Sequence, residues 1–386
     1  MKLFLKVICA ILAFGFVACN EPEPIITPDT TIKSLGTPAD NEIWFTTIDG
    51  RDLMTLNEEA FSSAIIDVEY SEMDVNVIRF AEPLTAIGEG AFNNCRNINN
   101  ISLPDGVTTI GERAFFECIQ LECITFGSKL NKCDFQAFDG CNALYSIHIA
   151  SVGYWCDIEF ANPTANPIYY SGSFLVNGKK VTNLVLPNWV DSIGDYAFYN
   201  CATLSSVEIP ASVKSIGKDA FLGCEAISKV DVKSAKAWCE IDFENSYANP
   251  LYMGGSFYEE GAAASVLSLE GVEIIKPRAF QGCGNIKALV ADGSLKTIGE
   301  EAFRGCAWLT SVELQSVNAI EGKAFMGCEM LSYVAVMASV PPMLGDKYVF
   351  DYNAEDRKIF VPSEAYNAYI ADEMWSKYAE SIERIQ

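Results

Sequence analysis

The stretch AFNNCRNINNISLPDGVTTIGER, residues 91–113, contains one whole period of this chain. Its opening phrase, Ala-Phe-x-x-Cys, recurs eight times, beginning at Ala91, Ala114, Ala137, Ala197, Ala220, Ala279, Ala302 and Ala324. Successive starts are 23, 23, 60, 23, 59, 23 and 22 residues apart, and self-similarity at a fixed period of this length is the signature of stacked repeats. Within the period, Ala91, Phe92 and Cys95 share one face of a short helical turn, while Ile101 and Leu103 alternate with polar neighbours as on a half-buried strand. Each rung is therefore expected to be a turn followed by a strand. Pro104, Pro187 and Pro210 fall where a missing amide hydrogen ends the ladder, and Gly88, Gly111, Gly194, Gly217 and Gly299 are read as turn residues that tolerate positive φ. Strands of successive rungs should stack in parallel at roughly 4.8 Å, building one core that no single rung buries alone.

The spacing Leu-x-x-Ile-x-Leu at Leu121, Ile124 and Phe126, and again at Leu204, Val207 and Ile209, resembles the leucine-rich repeat. The Ala-Phe-x-x-Cys and Ile-Gly elements resemble its BspA-like, treponemal type over about residues 77–340. That resemblance implies an α/β solenoid, with short strands stacked in a parallel sheet and short helical turns on the opposite face. Cys133-Asp134 and Lys276-Pro277 depart from the Ile-Gly pattern. Functional residues are not fixed in this family, so the resemblance carries a fold and no ligand.

Two long gaps, about residues 150–183 and 233–266, are copies of each other: Trp155, Cys156, Ile158, Phe160, Asn166, Pro167 and Tyr169 recur 83 positions on as Trp238, Cys239, Ile241, Phe243, Asn249, Pro250 and Tyr252. Their aromatic residues are read as wedges that fit enlarged coils into the stack; the other reading makes Tyr169 and Tyr252 part of a ligand platform. Asn177-Gly178 is a two-residue hairpin signal, so a firmer hairpin is expected in the first copy than around Glu259-Glu260-Gly261 in the second.

At the N-terminus, Lys2 and Lys6 flank the start of an apolar run too short for a membrane span and placed like a secretion signal, residues 1–18. Phe16-Val17-Ala18-Cys19 resembles a bacterial lipobox, which implies acylation of Cys19 and an outer-membrane lipoprotein at the cell surface, held to the membrane through that lipid alone. Residues 19–38, with prolines at 22, 24, 28 and 38, read as an extended, unpacked acidic tether. Caps are expected at 39–76, around Ile43-Trp44-Phe45 and a degenerate Ala60-Phe61, and at 341–386, where the repeat stops after Pro341-Pro342. There a strand near Phe360 should lead into a Ser363-capped helix, with Tyr366, Tyr369, Trp375 and Tyr378 closing the core.

Half of the 386 residues are hydrophobic, enough for a large core. With 27 Lys and Arg against 51 Asp and Glu the net charge is -24, which disfavours nucleic acid and anionic lipid as partners. Eight of the 14 cysteines occupy one repeat position (95, 118, 141, 201, 224, 283, 306 and 328) and should form a buried column of free thiols, since parallel Cβ vectors hold neighbours beyond disulfide reach. Cys123 and Cys133 are the irregular pair, buried or locally bridged, and no cysteine set has a recognised zinc spacing.

Catalytic signals are weak. His148, the single histidine, sits between Ile147 and Ile149 at an outward strand position and reads as solvated. No phosphate-binding loop is present, and acidic pairs such as Asp49 with Asp52 or Asp157 with Glu159 are unremarkable among 51 carboxylates. No catalytic residue, metal or cofactor is therefore expected. The expected function is non-enzymatic recognition or adhesion, with an extracellular or host protein as the partner that the BspA-like resemblance implies. The candidate binding residues are the outward strand positions Ser146, His148, Ser206, Glu208, Lys229, Asp231, Ser311 and Glu313. Glycan capture through Tyr169 and Tyr252 is the alternative.

Overall fold

In the computed structural model, residues 34–71 and 75–385 are described. Cys19, the signal and the tether as far as residue 33 lie outside them. Like residues of successive rungs pair in register: Ile101 with Ile124 and Ile147, Val207 with Val230 and Phe257, and Leu289 with Val312, Val334 and Ile359. All point inward and are fully buried. A second, narrower ladder of two-residue strands, such as Ala86–Ile87, Thr109–Ile110 and Lys132–Cys133, runs alongside. The chain is thus a solenoid of stacked, mostly parallel strands.

The Ala-Phe-x-x-Cys face is made of hydrogen-bonded turns rather than helices. Cys95 N–H bonds the Phe92 carbonyl within the rung, while Phe92 N–H and Asn94 N–H reach forward to Ala114 and Phe116 of the next. Residues on either side of Ala-Phe adopt positive φ in every copy: Gly90 and Asn94, Arg113 and Glu117, and so on to Lys323 and Gly327. That left-handed twist is what aims these amides along the stack. Side chains other than glycine occupy it at a cost of about 1 kcal/mol each, offset by the bonds to the neighbouring rung.

The Ile-Gly glycines serve a different purpose from the one expected. Gly88, Gly111, Gly194, Gly217 and Gly299 do not have positive φ. A Cβ on Gly111 would lie 2.7 Å from both Gly88 C and Glu89 N, and one on Gly299 would lie 2.5 Å from Pro277 N. Glycine is required because successive backbones touch at this corner.

The phenylalanines stack along the core: Phe92–Phe115 and Phe115–Phe138 at 5.1 Å and nearly parallel, then Phe280–Phe303, Phe303–Phe325 and Phe325–Phe350. Beside them, the 12 cysteines among the described residues are all free and buried. Cys118, Cys141, Cys224, Cys306 and Cys328 each donate to the carbonyl of the preceding rung's phenylalanine at 3.0–3.1 Å. Cys95 and Cys283 follow no regular rung and turn instead to Asn97 and Asn285. The thiol is therefore a small apolar group with a directed donor. Burial raises the pKa of Cys118, Cys224, Cys306 and Cys328, and that of Cys201 to about 12, which keeps these thiols protonated and unreactive.

Each duplicated insertion is an enlarged rung. Trp155 and Trp238 donate their indole N–H to Ala197 and Ala279, and Asn166 and Asn249 donate to the same two carbonyls. In a regular rung that alanine carbonyl is bonded by the preceding phenylalanine's N–H, so side chains here supply what an irregular backbone cannot. Both insertions end in hairpins, Leu175–Val176 with Lys179–Lys180 and Ser256–Glu259 with Ala262–Ala263. The second has the same two-residue pairing and turn as the first: Glu260 and Gly261 take the same left-handed pair of conformations as Asn177 and Gly178, and Gly261 N–H bonds Asp231. The hairpins divide the long-strand ladder into three sheets.

Both ends differ from expectation. Residues 34–38 are packed, not free: Ser34 Oγ lies 2.8 Å from Thr125 Oγ1, and Pro38 is buried. Glu42–Thr47 and Asn76–Phe80 pair antiparallel at the first edge, although Phe61 does pack in line with Phe92. At the other end the repeat runs past residue 340. Phe350 extends the phenylalanine stack, Tyr352 takes the left-handed position, and Asn353 replaces the column cysteine, donating to Phe325. Ser363 does not cap a helix but donates to Ile385; Tyr369, Trp375 and Tyr378 are buried over the last rung.

Candidate binding surface

The outward side chains of the long strands form columns across each sheet, since residues of like register lie side by side. In the first sheet these columns are covered. Ser146 is fully buried and His148, paired with Thr125 and Leu175, is 9% exposed. Ser146 Oγ lies 3.0 Å from His148 Nε2, which holds the imidazole along the sheet, and Ser34 at Thr125 brings the N-terminal segment onto the same face. The expectation of a solvated histidine is corrected: His148 and Ser146 are packed groups.

In the second sheet, Ser206 and Glu208 are half-buried and joined through Asn183, which accepts from Ser206 Oγ at 2.6 Å and donates to Glu208 at 3.3 Å. Asp231, expected to face solvent, is 8% exposed. It accepts from Gly261 N–H at 3.0 Å and pairs with Lys229 at 2.9 Å, while the Lys229 ammonium lies 4.8 Å from the Tyr258 ring centroid. Burial alone would raise the Asp231 pKa; the Gly261 N–H and the Lys229 charge outweigh it and hold it below its usual value. The hydrogen bond to Asp231 raises that of Lys229 in turn.

The third sheet carries the open surface. Glu313 is exposed and Ser311 half-buried. Glu313 lies in register between Val290 and Ala335, and exposed Tyr333 packs on Phe360 at 5.1 Å. Glu313, Tyr333, Phe360 and Arg384 border a cleft of about 520 Å³. Val290, Tyr333 and Phe360 were not among the candidate binding residues; their signal was an apolar residue at a strand position where other rungs are polar.

Tyr169 and Tyr252 lie elsewhere, against the turn face. Tyr169 packs on Tyr170 and Tyr199 and its carbonyl accepts from Asn200, while Tyr252 packs on Tyr247. The structure does not bring them together with the outward strand residues. Among the described residues no cluster of His, Cys, Asp or Glu is arranged to hold a metal, and no helix is long and apolar enough to cross a membrane.

A leucine-rich repeat protein from Bacteroides ovatus is 19% identical over 90% of this chain and 99% of its own, with a TM-score of 0.35. A leucine rich cell surface protein from Faecalibacterium prausnitzii is 21% identical over 79% of this chain and 83% of its own, with a TM-score of 0.38. No curated protein matches the chain. The profile of the BspA type leucine rich repeat region, in six copies, matches residues 63–174, 169–248 and 254–376. With the repeat matched over well beyond half its length, the chain belongs to the BspA type leucine-rich repeat family.

Proposed function

We propose that this protein is a non-enzymatic recognition or adhesion module that binds an extracellular or host protein through the outward face of its solenoid, anchored at the cell surface by acylated Cys19. The observation that supports it most directly is the composition of the third sheet's face: Val290, Tyr333 and Phe360 beside Glu313, with Arg384 at the rim. Exposed aromatic and aliphatic groups framed by charge are the make-up of a protein interface rather than of an ordinary solvated sheet. A parallel ladder holds them rigidly, so little side-chain ordering is lost on binding.

The test is an array of host extracellular proteins and a glycan array probed with the same purified protein. Tyr333→Ala should weaken binding of the captured protein about tenfold, and charge reversal at Glu313 or Glu208 should weaken it and change its salt dependence. Tyr169→Ala and Tyr252→Ala should leave it unchanged. Asp231 is not a suitable probe, because reversing it breaks the Gly261 and Lys229 contacts. Capture of glycans alone, lost with the two tyrosines, would replace this reading with glycan capture.

A further inference from the structure

The two insertions are built alike, yet one pair of positions differs in a reciprocal way. In the first, Gly153 lies under Trp189: a Cβ there would sit 2.4 Å from the indole Cζ2. Trp189 packs on Tyr154 with ring centroids 5.3 Å apart and planes at 43°, and the two side chains remain 52% and 50% exposed. In the second insertion Lys236 stands for Gly153 and Ala237 for Tyr154, 83 positions on, while the following turn is one residue shorter and has Gly271 before Val272 where Trp189 precedes Val190, with the Lys236 ammonium facing Gly271. The insertion folds with either set, so the aromatic pair is not needed to build it.

Acidity is common to both copies. Tyr154 and Asp157 are three apart at the end of one helical turn, which puts them on one side of it, and Trp189, in the turn closed by the Val190 N–H to Pro187 bond, is followed two residues on by Asp191. Asp157 and Asp191 are close enough that, after partial burial, the Asp191 charge is what raises the Asp157 pKa. Among the described residues neither has a lysine or arginine within ion-pair distance. Lys214, in the next rung beyond Asp191, turns its ammonium instead to the Ala211 carbonyl and to Glu240 at 3.9 Å. The second copy keeps the acids as Glu240 and Glu273, and there the chain supplies its own ammonium groups: Lys214 and Lys236 line an open cleft of about 560 Å³ with them. Where lysine is absent, in the first copy, two half-exposed rings stand at the same corner.

We propose that Tyr154, Trp189, Asp157 and Asp191 form a recognition site for a basic side chain, arginine or lysine, of a polypeptide partner. Tilted ring faces attract a cation through their quadrupoles, and the adjacent carboxylates supply the countercharge that a neutral sugar would not require. The net charge of -24 draws basic segments toward the surface, and this corner would retain them. The site rests on the protein-recognition reading above but is separate from the third sheet's face.

Titration of the full chain with an octa-arginine peptide at two salt concentrations tests it. Gly153→Lys with Trp189→Gly, which follows the lysine and glycine of the second insertion, should weaken binding about tenfold with the native circular dichroism spectrum kept. Asp157→Asn with Asp191→Asn should do the same and flatten the salt dependence, whereas Glu300→Gln with Glu329→Gln, an equal change of charge at exposed positions elsewhere, should not. Equal binding by wild type and the Gly153/Trp189 double variant overturns the site, as does an equal loss in the Glu300/Glu329 control. So does cellohexaose binding that depends on Trp189 while octa-arginine binding does not. If the double variant loses octa-arginine but still captures the array partner, the site stands and the partner uses the third sheet. If octa-arginine binding is unaffected while array capture persists, the site fails and the protein-recognition reading does not.

Discussion

At the scale of single residues, the two kinds of glycine in each rung separate contact from conformation. Gly111 is closed to any side chain because a Cβ would meet the previous rung's backbone at 2.7 Å, and backbone cannot move aside. Gly327 instead holds a left-handed turn that Asn94 and Asn200 also hold. Gly111→Ala should therefore cost about 1–3 kcal/mol, and Gly327→Asn under about 1 kcal/mol. Urea denaturation of the two variants measures the contrast, and equal losses would show that the stacked backbones relax more easily than this geometry allows.

At the scale of elements, the second hairpin is fixed by a residue of a different rung. Asp231 receives Gly261 N–H and faces Lys229, and its pKa is depressed. A group with a depressed native pKa contributes stability above its unfolded value of 3.8 and loses it as pH falls through the native value. Asp231→Ala should thus weaken the protein by about 1–2 kcal/mol at neutral pH, with faster hydrogen exchange at Gly261 and Ala264. The difference from wild type should narrow as pH falls below 3.8 and through the native value. A gap that persists unchanged into acid would assign the effect to lost packing rather than to charge.

For the whole molecule, stacking enlarged and regular rungs into one core places its thiols and its histidine inside the packing. Buried thiols donate to the carbonyls of the preceding rung, and His148 is packed against Ser146 of its own strand. The surface location proposed for this protein depends on Cys19, outside the described residues. Cys19→Ala should move it from the membrane fraction to the soluble fraction or leave it as precursor, measured by fractionation and fatty-acid labelling. Wild-type protein that takes up no label would remove the anchor from the proposal.

The repeat, the inward strand residues, the cysteine column and the two matched insertions follow from the sequence alone, because a solenoid core is built by position and each position recurs. Ala91, Phe92, Cys95 and Ile101 needed no neighbour to be placed. What the sequence could not decide is anything set by the next rung. Gly88 and Gly111 look like turn glycines until the adjacent backbone is laid against them. Val349, Phe350 and Asn353 continue the repeat with only its phenylalanine kept, since a ring stack and a donor to Phe325 satisfy the same requirements. The candidate site divides in the same way. Glu208, Ser311 and Glu313 alternate with buried residues along their strands, but alternation gives direction and not exposure. Only tertiary packing buries Asp231 under a hairpin, covers Ser146 and His148, and brings Tyr154 and Asp157 beside Trp189 and Asp191 across more than 30 residues of chain.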